Sequence, residues 1–383
     1  MDAKRYKFFT PTHLIFGAGC ATEVGQRAKA LGGTKALLVS DRGLERAGLV
    51  AKVRTALEAE GVEVVVYADV SENPSADNVH AGRDLIRQHG LDIVVALGGG
   101  SPMDAAKAMS ALSVHEGEIT EFEYGLRPFL RSGPLIVAIP TTAGTGAEAT
   151  MGAVITDPAT HRKIDVVSPL MAPRLALVDP EVTVSLPPGM TAATGMDALT
   201  HSIEGYTATL AHPLTDAIHR QAIELLGKYL LRAYRDGADK EARYYTMMAS
   251  MIAGIGFPNS GLGAVHGLAL PLGGRFNIAH GVANAILLPH VMAFNLPASR
   301  ARLRDIGVAL GAPKKSATGA IEHVFGLRRE LKLPLLASFG IGEEHLDALA
   351  RDALGRNTNC VTNPRPVTEA DAKEIYRAAL REG

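Results

Sequence analysis

Four short apolar runs constrain this chain most: Ala36-Leu-Leu-Val39, Val62–Tyr67, Ile93-Val-Val-Ala-Leu97 and Leu135-Ile-Val-Ala-Ile139. They are largely continuous rather than alternating, which is the pattern of parallel strands covered on both faces. Helix-like segments near 45–60, 76–89 and 103–112 lie between them. Strand-helix alternation of this kind predicts an α/β domain, a doubly wound, Rossmann-like parallel sheet. From about Val182 the strand-like runs stop. Leu214–Tyr234 instead repeats Ile218, Ala222, Leu225, Leu226, Tyr229 and Ala233 along one helical face, so the second half is expected to be all-α. Met247, Met248 and Met251 read as core filler there. Pro180, Pro187, Pro188 and Gly189 place the connection near 180–190, giving domains of 1–181 and 182–383. A length of 383 residues suits two cores better than one.

Charge narrows the partners. The 39 basic and 40 acidic residues nearly cancel, and Lys314-Lys315 and Arg328-Arg329 are too short to be a nucleic-acid stripe. Cys20 and Cys360 are the two cysteines, so no disulfide framework is expected and a reducing, cytoplasmic setting is. Met1–Lys7 lacks the apolar stretch of a signal peptide after it. No apolar run approaches the roughly 20 residues that cross a bilayer, so no membrane partner is expected.

In a doubly wound sheet, ligands sit beyond the carboxyl ends of the strands. After the third run comes Gly98-Gly-Gly-Ser-Pro-Met-Asp104, leading into a helix. Gly98, Gly99, Gly100 and Ser101 can bring backbone N–H groups against a pyrophosphate, although a glycine-rich turn by itself is commonly only a turn. After the fourth run, Pro140-Thr-Thr-Ala-Gly-Thr-Gly-Ala-Glu148 reads equally as a capped turn or as hydroxyls for phosphate, ribose or carboxamide. Asp41 ends the first run; it can accept from a ribose diol and repel a 2′-phosphate, favouring NAD over NADP, or it can cap a helix. Arg42 beside it softens that discrimination. Asn73-Pro74 reads as a turn.

Asp197 and His201 stand four apart in a segment that reads as helix, so carboxylate and imidazole share one face. That spacing suits two metal ligands and, taken alone, a helix-stabilising contact as well. His266 and His280 follow among glycines that let the backbone turn toward a common centre.

Gly195-Met-Asp-Ala-Leu-Thr-His201, Ala264-Val-His-Gly-Leu-Ala269 and His280-Gly-Val-Ala-Asn-Ala-Ile-Leu-Leu-Pro-His290 closely resemble the signatures of the iron-containing (group III) alcohol dehydrogenases. The resemblance runs from Phe16-Gly-Ala-Gly19 to Asn363-Pro-Arg365, nearly the whole chain. It implies that Asp197, His201, His266 and His280 bind one divalent metal, Fe²⁺ by preference with Zn²⁺ as substitute. It also implies that Gly98–Ser101, Thr141, Thr142, Thr145 and Thr150 line NAD, that Lys163 lies near its ribose, and that Asn73 faces cofactor and substrate. Three neutral imidazoles and one carboxylate leave a divalent site with a net charge of about +1, which acidifies an alcohol. The expected activity is hydride exchange between a primary alcohol or its aldehyde and nicotinamide, with both cofactors and substrate in the cleft between domains. Related enzymes are commonly dimers or larger, so a homo-oligomer is expected.

Two departures bear on the substrate. Many alcohol and lactaldehyde reductases of the family carry a further histidine four residues after the counterpart of His266, where this chain has Leu270. A polar asparagine of lactaldehyde reductases corresponds to Gly152. Both changes imply a roomier, less polar pocket and leave water or a ribose hydroxyl to carry the proton. Cys360 either borders the pocket or is a buried structural thiol, and His290 is expected to be structural. A maleylacetate-reductase-like reduction of a dicarboxylate would need cations near the metal, and Arg275 is the one candidate in the ligand stretch. A lyase resembling 3-dehydroquinate synthase would need several basic residues for a substrate phosphate, and the ligand stretches offer few. Ala198, Leu199 and Thr200 supply no glutamate base, which argues against an H-E-x-x-H type protease.

Overall fold

The computed structural model describes residues 5–160, 162–355 and 359–382. The chain divides into two compact units, one of residues 10–142 with 146–183, the other of residues 184–382 with 5–9 and 143–145.

Among its described residues the first unit holds eight strands: β1 His13–Phe16, β2 Lys35–Val39, β3 Glu63–Tyr67, β4 Ile93–Gly98, β5 Leu135–Pro140, β6 Gly152–Asp157, β7 Arg162–Val167 and β8 Leu175–Val178. Six form a parallel sheet in the order β1-β8-β5-β4-β2-β3, while β6 and β7 pair as an antiparallel hairpin. All six residues of β4 are buried, which is why that run carries no alternation. Its helices are α1 Val24–Ala30, α2 Arg42–Arg46, α3 Leu49–Ala59, α4 Ala76–His89 and α5 Gly100–Leu112. The segment expected as one helix over 45–60 is two. Gly48, at φ 78°, takes the left-handed conformation between α2 and α3, and glycine adopts it without a Cβ penalty. The four apolar runs become β2 to β5. Strands β1 and β8, four residues each, and the hairpin are additions that sequence reasoning did not place.

Because β3, β2, β4 and β5 are neighbours and parallel, their carboxyl ends share one rim. Chain order reverses between β2 and β4: β3 lies to one side, β5 and β8 to the other. That junction is the switch point at which doubly wound sheets open for a ligand.

The second unit is helical among its described residues: α6 Pro188–Thr207, α7 Pro213–Arg235, α8 Lys240–Ser260, α9 Ala264–Phe276, α10 His280–Ala309, α11 Ala317–Glu330, α12 Leu346–Gly355 and α13 Glu369–Leu380. One apolar core runs through all of them, from Ala192 and Met196 on α6 to Tyr376 on α13. Met247 is fully buried in this unit, as expected of filler, and Met251 nearly so. Helix α10 corrects the expectation that no segment is long and apolar enough to span a bilayer, since by length and composition it is. More than half of that stretch is buried within the protein, and the helix kinks at Ser299 just after Pro297.

Candidate active site

Helix α6 begins on Pro188, a residue suited to the first turn because its missing N–H would be unpaired there anyway. From Thr191 onward most positions are buried, and Asp197 and His201 project from one face into the helical unit. His266 lies in the first turn of α9, and His280 opens α10. Asp197, His201 and His266 each bring one ligand atom to within 4.8 Å of the others. His280 joins through Nε2, 3.6 Å from Asp197 Oδ1, while His266 Nε2 lies 3.9 Å from that oxygen. The imidazoles of His201 and His266 stack with centroids 4.5 Å apart, and Phe257 covers His201 at 4.6 Å.

The electrostatics suit a cation. Burial raises the Asp197 carboxyl, but His201, His280, His266 and the Asn284 amide outweigh it and hold the group below its usual range, as a carboxylate. Burial drives His201 down to about 3, so its ring stays neutral with a lone pair free. His201 Nδ1 is buried without a hydrogen-bond partner, which costs free energy unless something binds nearby. One carboxylate and three imidazoles, with no sulfur among them, match Fe²⁺, Zn²⁺, Mn²⁺ or Co²⁺. The residues present therefore fit a divalent metal.

Two partners of this cluster escaped the sequence reading. Asn284 Nδ2 donates to Asp197 Oδ1 at 2.7 Å and lies 3.3 Å from His266 Nε2 and 3.1 Å from His280 Nε2. Buried Glu204 accepts from the Nδ1 side of His266 at 2.6 Å. Their signals were the helical spacings: Asn284 is four residues after His280, and Glu204 seven after Asp197.

On the sheet rim, Asn73 follows β3, Asp41 follows β2, Gly98–Ser101 join β4 to α5, and Thr141 and Thr142 follow β5. Asp41 and the glycine turn flank the switch point. Gly98 has φ 156°, and a Cβ there would lie 2.4 Å from Pro102 Cγ. Gly99 packs against Thr142, whose Oγ1 would be 3.1 Å from a Cβ. The start of α5 thus presents bare backbone. Asp41 caps α2 by accepting from Leu44 N at 2.9 Å. The Arg42 guanidinium is spent on Asp69 at 2.6 Å and Glu45 at 2.7 Å. Asn73 adopts φ 58°, and its Oδ1 accepts from Lys163 Nζ at 2.8 Å. Burial lowers the Lys163 pKa.

Thr150 Oγ1 accepts from Lys107 Nζ at 2.9 Å, and the Gly152 carbonyl accepts from the same ammonium at 3.0 Å. Lys107 is completely buried in α5, another residue the sequence reading passed over. Thr145 belongs with the helical unit, where Gly144 lies so near Thr194 that a Cβ would fall 2.7 Å from Thr194 Cβ.

The remaining candidates resolve simply. Arg275 is half-exposed and paired with Asp352, so the cation wanted by a dicarboxylate reading is already engaged. His290 pairs with Glu382 at 3.0 Å. Cys360 packs on the helical core, and burial pushes its thiol up to about 12, the state of an inert structural cysteine.

A parallel sheet with a glycine turn at its switch point, joined to a helical unit with a buried carboxylate–imidazole cluster, defines a nucleotide-type fold with a metal-type centre. Residues 11–180 match the family model described as iron-containing alcohol dehydrogenase, and residues 191–380 match that of the Fe-containing alcohol dehydrogenase family, C-terminal. The chain is 39% identical over 376 residues to alcohol dehydrogenase 4 of Schizosaccharomyces pombe, covering 97% of this chain and 89% of that one. It is 38% identical to the NAD-dependent methanol dehydrogenase of Bacillus methanolicus, covering 97% and 99%. The crystal structure of a 1,3-propanediol oxidoreductase superimposes with a TM-score of 0.95 at 38% identity, covering 98% of this chain and all of that one. The chain belongs to the iron-containing alcohol dehydrogenase family, and is an oxidoreductase that interconverts alcohols and aldehydes.

Proposed function

We propose that the chain exchanges hydride between NAD(H) and a primary alcohol or its aldehyde, using one divalent metal held by Asp197, His201, His266 and His280. The observation that carries this is the convergence of three buried ligand atoms within 4.8 Å, with His280 Nε2 at 3.6 Å from the shared carboxylate. When bound, a divalent cation there supplies Lewis-acid polarisation of the substrate oxygen. Among the divalent ions the donor set accepts, membership of the iron-containing family supports Fe²⁺, with Zn²⁺ able to substitute.

The chain's own residues do the rest. Gly98, Gly99, Gly100 and Ser101 offer backbone N–H groups at the start of α5 to the pyrophosphate. Asp41 receives the ribose diol. Arg42 pairs with Asp69 through Nε and with Glu45 through Nη1, and these two carboxylates compete with a 2′-phosphate for it, which supports NAD over NADP. Thr141, Thr142, Thr145 and Thr150 contribute hydroxyls, and Asn73 and Lys163 act as one hydrogen-bonded pair toward the ribose. Leu270 offers no proton carrier, so water or a ribose hydroxyl moves the proton. Leu270 and Gly152 favour a simple alkyl alcohol over a small diol. The NAD-dependent methanol dehydrogenase among the relatives supports a primary alcohol. Two unpaired cysteines support a cytoplasmic setting, and the proposal includes a homo-oligomer.

Steady-state NADH formation with a panel of primary alcohols, before and after chelation, tests the reading. Alcohol-dependent NADH that chelation abolishes and Fe²⁺ or Zn²⁺ restores is expected. Turnover indifferent to exhaustive chelation would remove the metal from the mechanism.

A further inference from the structure

Glu204 is 4% exposed and lies on the same helix as Asp197 and His201. Both of its oxygens point at the start of α9. Oε1 accepts from Val265 N at 2.6 Å, and Oε2 lies 2.6 Å from His266 Nδ1 and 3.5 Å from His266 N. The approach is close enough to dictate a neighbouring residue. At Gly263 a Cβ would sit 2.7 Å from Glu204 Oε1 and 2.9 Å from Asn363 Oδ1. The helix has no cap of its own at Gly263, and Glu204 and Asn363 supply one from 61 and 99 residues away.

We propose that Glu204 is a positioning residue for the metal, acting through His266. The proposal rests on the metal reading above. Val265 N–H can only donate, and a carboxylate can only accept. Oε1 is therefore committed to the backbone, and Oε2 is satisfied when the His266 proton sits on Nδ1. That tautomer leaves the Nε2 lone pair directed toward Asp197, the condition for ligation. Glutamine cannot reproduce the arrangement. Its single oxygen serves either Val265 N–H or His266 Nδ1–H, and its NH₂ then confronts the other donor or forces the proton to Nε2. A cavity of about 10 Å³ beside Glu204, lined also by Thr207 and Asn295, is the size of one water. Truncation would let solvent in, so an isosteric change is the cleaner probe.

The experiment is competition for Zn²⁺ between the full-length apoprotein and a chromogenic chelator, with thermal melts of each variant. E204Q is expected to bind Zn²⁺ about 10–100-fold more weakly than the unsubstituted protein. In an H266A background the same change is expected to shift affinity by less than about twofold, because the effect passes through that imidazole. N363A removes the neighbouring cap at Ala264 without touching His266, and is expected to lower the Tm while binding Zn²⁺ as the parent does. E204D keeps the charge on a shorter arm and recovers part of the affinity. Should E204Q not fold, E204D still decides, being weaker than the parent only where His266 is present. Parent-like affinity in E204Q, an equal loss with and without His266, or an equal loss in N363A each overturns the proposal. If the unsubstituted protein takes up no Zn²⁺, the metal reading fails and carries this one with it. If it binds and the Glu204 variants match it, this proposal alone fails.

Discussion

Asp41 caps a helix from a position that also suits the cofactor role proposed for it. Its Oδ1 caps α2 through Leu44 N, and its place after β2 puts the same carboxylate beside the switch point. Replacing it with Asn keeps a capping oxygen and removes the charge. D41N is therefore expected to leave stability within about 0.5 kcal/mol while raising kcat/KM with NADP by about tenfold, the equivalent of roughly 1.4 kcal/mol of relieved repulsion. Initial rates with NAD and NADP check it, and an unchanged ratio would leave Asp41 as a cap alone. The buried cation of the α/β unit is Lys107 rather than a surface lysine, and it holds Thr150 and the Gly152 carbonyl. Side-chain entropy and desolvation both oppose its burial, so that position is legible only once its three-dimensional partners are known.

Helices α6, α7 and α8 meet at a single imidazole. His219 on α7 donates to or accepts from Ser260 Oγ at 2.9 Å, and two glycines make room for it. A Cβ on Gly205 of α6 would fall 2.2 Å from His219 Nε2, and one on Gly256 of α8 would fall 2.5 Å from its Cε1. G205A is expected to destabilise by about 1–3 kcal/mol through forced displacement of the ring. Adding H219A should restore part of the loss, since the two changes share one contact. Urea midpoints of the two variants test this. Because α6 also carries Asp197, His201 and Glu204, G205A should weaken Zn²⁺ uptake as well. A G205A variant as stable as its parent would show that α6 and α7 are not locked here.

Across the whole molecule, buried titratable groups set opposing slopes of stability with pH. Burial drives His219 from its ordinary 6.5 to about 3, with Nδ1 unpartnered. The folded state thus disfavours its protonation. This contribution is fully present above 6.5 and is lost as pH falls from there toward 3. Asp165 has the reverse sign. Burial first, then the charges of Glu123 and Asp104, raise it to about 6 against the pull of Lys163. Its contribution is present at low pH and is lost as pH rises through about 6. Urea unfolding of the apoprotein at pH values from 4 to 7 should therefore show H219N losing less stability on acidification than its parent, by up to about 1.4 kcal/mol for each pH unit below 6.5. D165N should remove the decline between pH 4 and 6. Parallel pH profiles in parent and variants would contradict both assignments.

Much of this architecture is written locally. Continuous apolar runs marked β2 to β5, because strands covered on both faces need no polar alternation. The i, i+4 spacing put Asp197 and His201 on one helical face, and the glycines after β4 marked where backbone could meet a phosphate. Strands β1 and β8 are four residues each, too short to stand out from loops, and they exist because β5 and β8 offer open edges to pair with. The break at Gly48 was equally hidden, since glycine is tolerated inside a helical pattern as well as at its end. The α10 stretch was missed as an apolar helix because His280, Asn284 and His290 interrupt it as written, though packing buries most of its length. Asn284 and Glu204 came into view only with the tertiary structure. A carboxylate two turns along from Asp197 has no stated purpose until α9 delivers His266 to it across 62 residues of chain. The chain alone determined which faces are apolar and which residues could ligate. Folding decided which of them touch, because a hydrogen bond 2.6 Å long between distant segments is set by how helices pack and by no periodicity within either one.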